Sequence, residues 1–309
     1  MANKEKKISE GLEHMELAAK CLKTSFFKWK PDLDGAVSEY GKAAVCFKNG
    51  KALEKAREAY IKTADTQCQA NSHFHAGKSY EQAAMICRDM KDHDQAAHWA
   101  VQASNFFLEY GTPDTACSAL ERAGKMIEPV QPEKAIELYR RAQDVAEMED
   151  RPRQAAEMAG KVARIYIRLK KHEQAYTALE KEMTLWSGVE NFPMVNKLVV
   201  AAVLLQLHLG DYIAADKMYK SSMSVPGFGS SEEAMCLEEL LTAYDEGDQE
   251  KATEVLRRPI IRYMENDFTK LARDLTVPGG RVGTNPNPTD GAGETVGDDE
   301  DDEYSGGLC

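Results

Sequence analysis

The residues of this chain that could do chemistry are few and scattered. "KHEQAY", residues 171–176, begins like a zinc helix, in which a second histidine four positions after His172 would share the metal. Tyr176 stands in that place. "HFH" sets His73 and His75 two residues apart, so on a helix they point to opposite sides and one ion cannot easily take both. "GFGSS", residues 227–231, has the glycines of a phosphate cradle and lacks its lysine and spacing. No G-x4-GK[ST] loop exists, and no GxGxxG precedes a helix. The seven cysteines, at 21, 46, 68, 87, 117, 236 and 309, include no CxxC pair. An odd, dispersed set reads as reduced thiols of a cytosolic protein. The many carboxylate pairs of the Glu-rich stretches read as solvated helix faces. No catalytic residue, metal or cofactor is expected, and the search turns to surfaces.

Charge narrows the kinds of surface. The 309 residues carry a net −12, which argues against general nucleic-acid binding. The segment from Gly279 to Cys309 holds eight acidic residues against Arg281 alone. Six of the acids are consecutive, Asp298 to Glu303, and should repel one another into an extended run. Against this trend, residues 116–171 hold twelve basic and nine acidic side chains. The start, "MANKEKKISEGLEH", has no apolar signal core. The longest apolar run, "LVVAAVLL", is eight residues, short of the ~20 that span a bilayer. A soluble chain is expected, touching membranes only peripherally.

The elements that must carry these surfaces announce themselves by a repeat. Alanine recurs at 36, 56, 76, 96, 116, 135, 155 and 175, a spacing of 20 with one step of 19. Four residues on come Tyr40, Tyr60, Tyr80, Ala100, Leu120, Tyr139, Ala159 and Leu179. Seven on come Ala43, Thr63, Ala83, Ala103, Ala123, Ala142, Val162 and Glu182. Offsets of 0, 4 and 7 share one helical face. Small residues let helices approach, and the larger one fills the gap. The pattern fades after Glu182 and returns as Ala215, Tyr219 and Ser222. Between copies lie polar breaks such as "KNGKALE" and "RDMKDHD". "TPD" and "QPE" place proline where the first helical turn loses no hydrogen bond. The predicted fold is all-α: a tetratricopeptide-like solenoid of antiparallel hairpins over residues 1–224, about 20 residues per helix and about 40 per hairpin. From 225 to 277 the phase is lost, and a C-terminal helical bundle is expected, opened by a capping box from Ser230 to Glu233. Residues 278–309 read as a disordered linker and acidic tail.

"KCLKTSFFKWKPDLD", residues 20–34, stands out as a connection between helices that holds two adjacent phenylalanines. Phe26 and Phe27 are flanked by Lys23, Lys28 and Lys30, a composition suited to an anionic bilayer surface. Core packing in the first hairpin is the competing reading for the two rings, and by that reading Trp29 is more apt than they are to be core.

These stretches together resemble a known family. "EYGKAAVCFK", "SYEQAAMIC", "EKAIELYRRA", "FFKWKPD", "TPDTACSALERAGK" and the ending "DDEDDEYSGGLC", in this order, resemble the soluble NSF attachment proteins. "KWKPD" and the ending look most like the family's gamma form. The resemblance covers the chain except the linker at 279–297. It implies a twisted sheet of helical hairpins followed by a bundle, and an adaptor, not an enzyme. Several copies would wrap a SNARE bundle, bind the hexameric ATPase NSF and couple its ATP hydrolysis to SNARE disassembly in vesicle fusion and transport. It also implies lipid contact at the Phe26–Phe27 loop, and stimulation of the ATPase by a penultimate leucine, here Leu308, although Cys309 and the glycines before Leu308 depart from the pattern.

Three candidate surfaces follow. Membrane contact would use Phe26, Phe27, Lys23 and Lys28. The basic middle, Arg122, Lys125, Arg140, Arg141, Lys161 and Arg164, would steer an acidic SNARE bundle. NSF would meet the acidic "YDEGDQE" stretch (Asp245, Glu246, Asp248, Glu250) and Leu308. A general scaffold for peptide tails is the alternative. A prenyltransferase subunit is discounted, since Trp29, Trp99 and Trp186 lie in no P-x-N-Y-x-x-W element. Cys309 is not a prenylation site either, because that chemistry needs cysteine where Gly306 stands.

Overall fold

A computed structural model describes residues 2–24 and 29–279, and these form helices and turns with no strand among them. The array runs α1 (Ala2–Leu22), α2 (Leu33–Asn49), α3 (Leu53–Gln69), α4 (His73–Asp89), α5 (His93–Glu109), α6 (Pro113–Ile127), α7 (Pro132–Met148), α8 (Pro152–Arg168), α9 (His172–Gly188), α10 (Phe192–His208) and α11 (Tyr212–Ser222). Four shorter helices follow: α12 (Glu232–Asp245), α13 (Gln249–Leu256), α14 (Pro259–Arg262) and α15 (Asn266–Arg273). Each array helix packs chiefly on its neighbours in sequence, and alternate helices lie side by side, α4 with α6 and α5 with α7. The result is the expected all-α solenoid of antiparallel hairpins, in two layers. Among the described residues no helix is long and apolar enough to cross a membrane.

The 20-residue phase has a local cause. Most array helices are 17 residues long and end in the same turn. Lys51, Asn71, Lys91, Gly111, Asp150, Lys170, Glu190 and Gly210 all sit in the left-handed region, with φ between +54° and +83°. The next residue donates its N–H back to a carbonyl five earlier, as from Ala52 to Phe47, Asp92 to Cys87 and Asn191 to Trp186, at 2.9–3.0 Å. This closes the helix and satisfies a carbonyl that would otherwise be orphaned. The exception is the α6–α7 turn, where Pro129 intervenes and no residue has positive φ. There α6 stops after 15 residues, and this is the single 19-residue step of the alanine series. Pro113, Pro132 and Pro152 open α6, α7 and α8, where a missing N–H costs nothing.

The phase alanines at 36, 56, 76, 96, 116, 135, 155, 175 and 215 are all fully buried. The apparent gap after Glu182 is not a gap. Val195, Val199 and Ala202 hold the same offsets in α10 and are buried. Valine replaces alanine, so a search for alanine loses the helix. α10 is buried on nearly all sides because α9, α11, α12 and α15 all contact it. That accounts for its apolar run, "LVVAAVLL". One core continues from Ala84 to Val277, so packing crosses residue 225 without a break.

Two expectations are corrected. The cap of α12 is Ser231, whose hydroxyl accepts from the Ala234 N–H at 3.1 Å. Ser230 instead lies in a single 3-10 turn and donates to the Gly227 carbonyl. The extended backbone that a cap requires falls one residue later than the Ser230–Glu233 spacing suggests. Trp29 is not core: it is 84% exposed, because α2 begins only at Leu33 and the chain before it runs over the surface.

Close approach also explains two pairs across hairpins. A methyl on Gly124 would lie 2.8 Å from the buried Tyr139 ring. One on Gly160 would lie 2.6 Å from the Glu182 carboxylate. Glu182 therefore fills a small-residue position with a carboxyl group, 5% exposed, whose Oε1 accepts from the Trp186 indole at 3.4 Å. Its other oxygen is buried without a hydrogen-bond partner. Burial pushes the Glu182 carboxyl up to about 7, against the pull of Arg164.

Two outcomes follow. Replacing Lys51 or Lys91 with glycine relieves a left-handed backbone penalty larger than the entropy glycine adds to the unfolded chain. Each change should raise unfolding free energy by about 0.5–1 kcal/mol in urea titration. Glu182 binds its proton more tightly folded than unfolded, so its effect is most favourable below about 4.5 and is lost as pH rises towards about 7. Relative to wild type, Glu182→Gln should gain stability on the order of 3 kcal/mol between pH 5 and pH 7.5. Parallel stability–pH curves for the two proteins would refute the assignment.

Candidate functional site

The four acidic residues of "YDEGDQE" gather on one tight connection. Asp245 ends α12, Glu246 and Gly247 make the turn, and Gly247 takes φ +70°. Asp248 caps α13 by accepting from the Lys251 N–H at 2.9 Å, and Glu250 lies in the first turn of that helix. Glu246 meets Lys251 at 3.6 Å. All four side chains are exposed. The turn is thus an acidic knob held by its own capping bond. Gln249 braces it from behind, its Oε1 accepting from the Val277 N–H at 2.8 Å.

The six basic candidates do not form one patch. Arg122 and Lys125 lie on α6, and Lys161 and Arg164 on α8, in one layer. Arg140 and Arg141 lie on α7, in the other. Five of the six are engaged. Arg122 pairs with Glu81 of α4, and Lys161 with Glu121 of α6 at 2.7 Å. Arg164 pairs with Glu265 at 2.9 Å, tying α8 to α15. Arg141 donates to Asn105 of α5 at 2.5 Å, and Arg140 lies over the Tyr166 ring. Lys125 is exposed and has no carboxylate partner among the described residues.

These pairs belong to a wider arrangement. Lys134 meets Asp94, Arg168 meets Glu128, and Lys181 meets Glu147 at 2.8 Å. Each couples a helix to the next one in its own layer, about one hairpin along, with the base on the later helix. Sequence reasoning missed this ladder because it looked for pairs within a helix, at i, i+4. The signal was present: acids and bases recur about 40 residues apart. Arg168 was missed as well. It bridges Glu128 of α6 and the mostly buried Asp267 of α15.

The aromatic connection is described only at its edges, since Phe26, Phe27 and Lys28 lie outside the described residues. Lys23 is exposed just past α1, and Lys30 and Trp29 are exposed before α2. Leu308, the acidic run 298–303 and Cys309 also lie outside them.

No group of three metal-ligating side chains converges among the described residues. His73 meets Glu109 at 2.8 Å, while His75 meets Ser72 at 3.2 Å, so the two histidines serve different partners. His172 and His208 bring their rings to 5.1 Å, and burial lowers the His172 pKa.

The family model "Soluble NSF attachment protein, SNAP" matches residues 9–258. The gamma-soluble NSF attachment protein of Arabidopsis thaliana is 30% identical over 84% of this chain and 90% of its own. That of Dictyostelium discoideum is 24% identical over 89% of this chain and 85% of its own. Among solved structures, the apo form of RapI aligns over 86% of this chain and 84% of its own, at 11% identity and a TM-score of 0.40. The family match takes in the array from within α1 through α13, including the acidic α12–α13 turn. The chain belongs to the soluble NSF attachment protein family.

Proposed function

We propose that this protein is an adaptor, not an enzyme. It binds SNARE complexes, recruits NSF and couples ATP hydrolysis to SNARE disassembly in intracellular transport. The observation that carries the reading is the family match across residues 9–258, on a helical array whose exposed features suit protein contacts.

The ATPase side is the acidic α12–α13 turn together with Leu308. Asp245 and Glu246 are the residues to test, since Asp248 is already used as a cap. Charge at an exposed turn mainly governs the encounter. Leu308 acts differently. Burying one leucine yields at most about 1.5–3 kcal/mol, too little to hold a complex and enough to bias a conformational step tenfold. The SNARE side is the basic middle. Within it Lys125 is the best candidate for a partner's carboxylate, because its neighbours already hold carboxylates or rings in place. Several copies act on one SNARE bundle. The protein works in the cytoplasm and meets membranes peripherally, through the α1–α2 connection. An 84%-exposed tryptophan beside exposed Lys23 and Lys30 supports that contact, with Phe26 and Phe27 as its apolar tip and Lys28 beside them.

Reconstitution with NSF, ATP and a SNARE complex tests the adaptor reading. Disassembly should require this protein, and its absence from the reaction should make no difference if the reading is wrong. Asp245→Asn with Glu246→Gln should weaken NSF recruitment several-fold, most at low salt. Leu308→Ala should leave recruitment intact and lower stimulated ATP hydrolysis by about tenfold or less. Full disassembly by the Leu308→Ala protein would reduce the tail to a solubilising extension. Phe26→Ser with Phe27→Ser should keep helicity while reducing binding to anionic liposomes, and should slow disassembly of membrane-embedded SNARE complexes more than soluble ones. A drop in thermal stability of several kcal/mol would instead put the two rings in the core of the first hairpin.

A further inference from the structure

The last three helices enclose a groove of about 480 Å³ that the adaptor reading does not use. Its apolar floor includes Leu256, Ala272 and Leu275. Three arginines stand around it, Arg257 capping the end of α13, Arg262 ending α14 and Arg273 ending α15. Among the described residues no carboxylate lines it. All three arginines are exposed. Arg273 has Asp274 at 3.5 Å, while Arg257 and Arg262 have no ion-pair partner among the described residues. In the array, by contrast, Arg122, Arg151, Lys161, Arg164 and Arg168 meet carboxylates, while Arg140 lies over a ring and Arg141 donates to Asn105. Cations at helix C-termini are favourable by themselves, and that explains their presence one by one. It does not explain three converging on one apolar groove without acids.

We propose that this groove is the docking site of the chain's own acidic segment, Asp298–Glu303. Three facts favour this occupant over a partner. Leu275 forms part of the groove, and the described chain leaves it at Gly279, so the tail starts beside its site. A Gly-rich connection of about nineteen residues would have a root-mean-square span of about 25 Å, ample for return to a groove a few residues from its origin. The tail also carries −7 of the chain's −12, so the most negative segment is tethered next to unpaired arginines. Tethering places it at an effective concentration near the millimolar range, at which a weak electrostatic contact is populated without a large interface. The carboxylates face the guanidinium groups, and the apolar floor lowers the local dielectric, strengthening each pair. The proposal needs no NSF contact. It stands or falls apart from the adaptor reading, because its test contains this chain alone.

The full chain is labelled with a fluorescent dye on Cys309. Cys21, Cys46 and Cys68 are replaced by serine; the remaining thiols, Cys87, Cys117 and Cys236, are buried, and burial pushes the last two up to about 11, which keeps them unreactive. Dye anisotropy is read at low and high salt. A docked tail gives high anisotropy that falls with salt. Arg257→Glu with Arg262→Glu should abolish the difference, and so should replacing Asp298–Glu303 by the matching amides, a change that touches no described residue. Lysines at 298–303 combined with the two groove glutamates should restore it. Equal, salt-independent anisotropy in all variants would overturn the proposal. Anisotropy that rises with protein concentration would also overturn it, by assigning the groove to the tail of a second copy.

Discussion

The structure depends on how closely its helices can approach. A fully buried alanine recurs at one place on the array helices from α2 to α11, with valine standing in for it in α10. The residue four later, often an aromatic or leucine, fills what remains. Where an aromatic is large, the facing helix gives way to glycine, as Gly124 does for Tyr139. Interiors packed to crystal-like density leave little latitude for other sizes. Equal helix lengths then matter, because each hairpin must present its small residues in register with the last. The left-handed turn residue enforces that length. It ends each helix at the same count and hands the chain to the next one after three residues.

Much of this was legible in the sequence, since small-residue spacing is a direct image of helix packing. Its failures are equally physical. α10 escaped the alanine pattern because a fully enclosed helix tolerates valine where a two-sided one uses alanine. The α12 cap was placed one serine early, because adjacent serines present the same chemistry and only backbone direction separates them. Trp29 was ranked above the two phenylalanines as a core residue, yet it is exposed, because three surface residues separate it from the next helix. The basic middle was the largest loss. Residues 116–171 span α6 to α8, and consecutive helices belong to opposite layers. Charges close in sequence are therefore split between two faces, and a charge count along the chain cannot see that.

Charge is ordered on two scales. Within the array, acid on one helix meets base on the next helix of the same layer, so most of the basic middle is neutralised locally. Singly, such exposed pairs contribute little. Their direction is more informative: in most of them the base lies on the later helix, as in Arg122 with Glu81, Lys161 with Glu121 and Lys181 with Glu147, whereas Arg57 of α3 meets Asp92, ahead of α5, in the opposite sense. Beyond α11 the order changes. α13 has acids at its start and Arg257 at its end, about 12 Å along its axis. The terminal helices thus present opposite poles, and Arg164 and Arg168 of α8 bind the whole group to the array through Glu265 and Asp267.

The two-layer arrangement also has a mechanical meaning. Sequence neighbours approach along most of their length, whereas helices of the same layer approach at few backbone positions and are joined by ion pairs. A small rotation of one hairpin against the next leaves each buried seam nearly unchanged and shears the ion pairs that cross it. The array should behave as a torsion spring, stiff in bending across a hairpin and compliant in twist along its length. Because charged surface contacts weaken with ionic strength, salt would soften that spring without unfolding any part of it.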